Sequence, residues 1–87
     1  MAKQFLSEPQ WAELAAAAGL RLPPRNAAFT NARMERWLRR LDLTGSAYLR
    51  WAGVGSLKQF REWNPAWTLR DWAGLVLEHR AQIAALR

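Results

Sequence analysis

Arginine is the side chain in this sequence best placed to do chemistry. The chain holds thirteen basic residues against seven acids, and among the basic ones only Lys3 and Lys58 are lysine. At about 100° per residue in a helix, Arg33, Arg36, Arg39 and Arg40 gather on roughly a third of a turn, opposite Met34, Leu38 and Leu41. Guanidinium groups grip phosphate or carboxylate through paired N–H donors and are less tightly hydrated than ammonium, so a one-sided row of them favours acidic partners. A solvated charged surface is the commoner fate of such a face. Here, however, only Glu35 and Asp42 stand close by in sequence, which leaves the face net positive.

Other chemistries are thinly supplied. Acid–base or nucleophilic catalysis draws on histidine, cysteine or paired carboxylates, and this chain has one histidine, no cysteine and scattered acids. His79 lies between Glu78 and Arg80, outside the apolar series of its helix, and reads as a boundary residue. No partners stand at metal-ligand spacing, and Gly53-Val54-Gly55-Ser56 lacks the lysine and preceding strand of a phosphate-binding loop. Several acids have structural roles in view. Glu35 precedes Arg39 by four, Lys58 precedes Glu62 by four, and Asp71 falls in a helix first turn. The expectation is a protein that binds rather than catalyses, without metal or cofactor.

The elements that carry these residues read as all-α. At 87 residues there is room for one domain, and hydrophobic residues at 51% of the chain supply a core. Caps and breaks divide the chain into about five helices. The first, 8–18, opens on a Ser7/Gln10 capping box with a Leu6–Trp11 staple and closes at Gly19. Pro23 and Pro24 mark a connecting loop. A second helix covers 31–42 with Met34, Trp37, Leu38 and Leu41 on one side, Trp37 near the boundary with the arginine face. The third covers 46–53 from a cap at Thr44 or Ser46, and the fourth 57–63 from a Ser56/Gln59 box. The fifth, 69–86, starts from Thr68 and Asp71 and contains Gly74, at a cost of about 1 kcal/mol relative to alanine. That glycine either lets another helix approach or is simply tolerated.

The third and fourth segments loosely resemble a helix-turn-helix. Gly53 stands in the turn, and Phe60 and Trp63 follow it by seven and ten residues, one more than the motif's spacing. The resemblance implies that Ser56, Lys58, Gln59, Arg61 and Glu62 face a major groove, with Gln59 suited to adenine and Arg61 to guanine edges. An ordinary helical hairpin accounts for the same residues.

Six tryptophans are many for this length. Most belong in the core, and Trp37 and Trp63 are the candidates for exposure, where tryptophan beside arginine has the composition of a protein-binding hot spot. Two functions therefore compete. The first is a small basic DNA-binding protein, a regulator or accessory factor of a bacterial or phage element. Its arginine face (Arg33, Arg36, Arg39, Arg40) meets phosphates, and Lys58, Gln59 and Arg61 point toward bases. The second is an adaptor or phage-type inhibitor docking on an acidic surface of a host nucleoprotein complex through Trp37 and Trp63. Structured RNA and membrane surfaces rank lower, for want of the aromatic modules of the one and the lysine-rich faces of the other. Neither a signal peptide nor a membrane span is evident, so a cytoplasmic protein is expected. The oligomeric state is left open by the sequence; a homodimer is one way to double DNA contacts, and the fifth helix, the longest element, could supply its interface.

Overall fold

The computed structural model describes residues 7–86, and every regular element among them is a helix. In order these are α1 (Glu8–Ala17), α2 (Asn31–Arg40), α3 (Gly45–Ala52), α4 (Leu57–Trp63), α5 (Leu69–Glu78) and the short α6 (Arg80–Ala84).

Local chemistry starts α1 to α5 where their polar caps stand. The Ser7 backbone N–H donates to Gln10 Oε1 at 2.8 Å at the head of α1, whereas the staple residue Leu6 lies outside the described residues. Thr30 Oγ1 accepts from Arg33 N–H, and Thr44 Oγ1, not Ser46, accepts from Ala47 N–H. Thr68 and Asp71 exchange both bonds of a capping box at α5.

Helix ends follow the same logic. Gly19, at φ +72°, lets Leu20 N–H donate back to Ala15 O at 2.8 Å. α2 ends at Arg40 rather than reaching residue 42, because Asp42 takes the same left-handed role at φ 59° and Leu43 N–H reaches Leu38 O at 2.8 Å. An aspartate tolerates that backbone better than most side chains, which is why no glycine marks the end in the sequence.

α5 is the hub. Trp72, Ala73, Gly74, Leu75, Val76 and Leu77 are buried in succession, as in a helix enclosed on all sides. Three buried indoles tie its neighbours together, each N–H donating across elements. Trp11 of α1 donates to Glu78 Oε1 at 2.7 Å, Trp37 of α2 to Ala73 O at 3.1 Å, and Trp72 itself to Tyr48 Oη of α3 at 2.8 Å. Gly74 is not merely tolerated: a Cβ there would stand 2.4 Å from Cδ2 of the Trp11 ring, so the indole lies where only a glycine leaves room. Enclosure by its own chain also removes the buried stretch of α5 as a dimer interface.

The fifth helix does not run unbroken to residue 86. Three and four residues after Val76, where the apolar series would continue inward, stand His79 and Arg80. The chain breaks at His79, whose Nδ1 lies 3.0 Å from Leu75 O and whose ring stacks on Trp51 at 4.9 Å between centroids. Arg80 Nε donates to Leu41 O at 2.9 Å, and α6 then buries Ile83 against α3.

Two outcomes follow from this packing. Gly74→Ala gains about 1 kcal/mol of helix propensity but forces a rigid ring to move, an overpacking that costs about 1–3 kcal/mol or more. The thermal midpoint followed by circular dichroism should fall by about 5 °C or more, and the same change in a Trp11→Ala background should lower it far less. A rise in the midpoint of the single variant contradicts the packing argument. Burial pushes the Tyr48 phenol up to about 12, the Trp72 N–H opposing the rise only in part. A raised acid contributes stability in full below its usual value of 10.0 and loses it as pH climbs toward that folded value. Tyr48 is the single tyrosine, so its ultraviolet titration is clean. Phenolate should form only well above pH 10 or together with unfolding, and titration at the usual value would show the ring to be accessible.

Candidate nucleic-acid interface

α2 positions the arginines because its other side is committed to the core. Met34, Trp37 and Leu38 are buried, and Arg33, Arg36, Arg39 and Arg40 are exposed. The structure divides the four. Arg33, Arg36 and Arg40, aligned along one edge of the helix, join Arg21 around a cleft of about 160 Å³ between α2 and the loop bearing Pro23 and Pro24. Trp37 and Leu69 contribute to its floor. Arg39 turns away, toward a broader depression bordered by Asn31, Glu35, Thr44 and Ser46. Among the described residues none of Arg21, Arg33, Arg36, Arg39 and Arg40 joins an ion pair, the Glu35–Arg39 spacing notwithstanding.

The loop wall is tethered from the opposite side. Arg70 Nη1 donates to Pro23 O at 3.0 Å and Arg70 Nε to Glu8 Oε1 at 2.5 Å, while Arg25 pairs with the other Glu8 oxygen. Hydrogen bonds from Arg70 first and then Arg25 hold the Glu8 carboxyl below its usual value. Arg21 was invisible to helical periodicity because it sits in irregular backbone; the neighbouring Pro-Pro pair signals only that the backbone beside it is rigid.

Trp37 does not stand out from the surface as expected. Its side chain is turned inward onto α5, and the residue is 3% exposed. Trp63, at the end of α4, is 65% exposed and does not line the arginine cleft.

The residues expected to read bases take different positions. Lys58 is exposed. Gln59 Oε1 instead accepts the Gly55 N–H at 2.6 Å, bracing the turn that leads into α4. Arg61 is half-buried against α2, donating to Asn31 Oδ1 and lying 3.2 Å from Met34 Sδ, with its guanidinium 6.0 Å from the centre of the Phe29 ring. Both side chains are thus anchored within the fold. α4 packs against α2 and α3 against α6, so the two helices flanking Gly53 each find their main support elsewhere.

Among the described residues no group of three or more His, Cys, Asp or Glu side chains is placed to hold a metal, and no helix is long and apolar enough to cross a membrane. Against protein-family models, curated proteins and solved structures alike, the chain finds no match, so its function has to be argued from the cleft itself.

Proposed function

We propose that this chain is a small DNA-binding protein, an accessory factor whose arginine cleft grips the phosphate backbone. One observation carries the reading: four arginines from two separate elements converge on one concave site, and among the described residues none of the four joins an ion pair. Such a site offers paired donors to phosphate oxygens, and the net charge of +6 draws a polyanion toward it. Backbone contacts fix position without reading sequence. With the Gln59 carbonyl oxygen and the Arg61 guanidinium each bonded to the protein's own chain, neither of the two side chains suited to base edges is held free for them, which favours binding of low sequence specificity.

The rival reading, an adaptor docking on an acidic protein surface, is favoured by Trp63, whose exposed ring is suited to anchor a partner. It predicts little affinity for naked DNA and tight association with one protein.

Fluorescence anisotropy of a labelled random duplex, titrated at several salt concentrations, separates the two. DNA binding should weaken steeply with salt, with a logarithmic slope of about 0.9 per phosphate engaged. Arg36→Ala and Arg40→Ala should each lower the slope by about one unit and weaken binding uniformly across sequences. Trp63→Ala should bind DNA as the parent does. Absence of binding at low salt discards the DNA reading.

A further inference from the structure

We infer that Glu8, on the far side of the molecule's loop from the arginine row, is a positioning residue for the cleft: it locks Arg70 onto Pro23 and so holds the wall that presents Arg21. The inference rests on the phosphate reading above.

The two walls of the cleft are built differently. α2 is rigid, its inward face packed into the core. The opposing wall is irregular backbone interrupted by Pro23 and Pro24, neither of which has an N–H to donate. Such a segment is held by donors brought to its carbonyls. Arg70, in the first turn of α5, supplies one to Pro23 O at 3.0 Å. A free arginine side chain samples many rotamers, and ordering one costs conformational entropy. Glu8 removes that freedom by accepting from Arg70 Nε at 2.5 Å, and its second oxygen takes Arg25 on the other side of the proline pair. One carboxylate in the first turn of α1 therefore braces the loop at Pro23, through Arg70, and at Arg25 just past the proline pair.

Charge and geometry make opposite predictions for this residue. Glu8 is an anion beside a cationic site, and its removal also releases Arg25 and Arg70 from their ion pairs. On charge alone, Glu8→Gln should strengthen binding to a polyanion. As a brace, its loss should weaken binding.

The test uses the full chain, a labelled random duplex and the same salt series. Glu8→Gln should keep its helical circular dichroism yet bind about 3- to 10-fold more weakly, with a slope lower by about 0.9 as the Arg21 contact is lost. The effect should be non-additive with Arg21→Ala, the double variant binding no more weakly than Arg21→Ala alone. Arg70→Lys conserves charge but not the forked geometry, and should show the same loss. Unchanged or tighter binding by Glu8→Gln, or losses that simply add to that of Arg21→Ala, overturns the brace while leaving the cleft intact. A parent protein without salt-sensitive binding removes the phosphate reading itself, which is a different result.

Discussion

The structure depends on how closely the Trp11 indole can approach the backbone of α5. Gly74 leaves room for that ring and no more, and the ring's N–H is satisfied by Glu78 one turn further along the same helix. A large apolar surface is thereby brought into contact without an unpaired polar atom, the condition under which burying an indole is favourable. Trp37, bonded to Ala73 O of α5, and Trp72, which reaches from α5 to Tyr48, are buried with their N–H groups satisfied in the same way, and among the described residues no buried side-chain nitrogen or oxygen is left without a partner. For a chain this short, which buries only about 60% of its unfolded surface, large rings with satisfied N–H groups are an efficient core.

Both walls of the cleft derive their position from that helix. α2 is registered on α5 by the Trp37–Ala73 bond, and the loop is drawn to α5 by Arg70. Displacing α1 would therefore disturb the cleft twice, through the packing of α5 and through Glu8, although no residue of α1 lines the cleft. Stability and the candidate site share one support.

What was legible in the sequence was what is local. Capping side chains act within four residues of themselves, so Ser7, Thr30, Ser56 and Thr68 announce helix starts that tertiary contacts do not alter. The all-helical architecture and the exposed arginine edge of α2 follow from periodicity in the same way. The failures are tertiary. Periodicity puts Trp37 at the margin of its helix, and only the presence of Ala73 O across the interface decides that the ring turns in. The break at His79 depends on Trp51 and Leu41, far away in sequence. Arg61 looks like a free polar residue until Asn31 is brought beside it, whereas the bond that occupies Gln59 is local, four residues back at Gly55. Arg21 has no periodicity to betray it.

Composition alone could not separate a functional excess of arginine from a compositional one, because the same residue type serves both ends. In the structure the arginines divide by partner. Arg25 and Arg70 bind Glu8, Arg50 and Arg80 donate to the backbone carbonyls of Leu86 and Leu41, and Arg61 lies against Asn31 and Met34. These five are fastened by ties that a planar, multiply donating cation makes well. Arg21, Arg33, Arg36, Arg39 and Arg40 have no such tie among the described residues, and four of these five rim one cleft. A charge distributed only by genome composition has no reason to leave its unpaired members together; repulsion between them disfavours the folded state unless something anionic is there to be met. The clustering of the untied arginines, more than their number, is what sets this cleft apart from the rest of the basic surface.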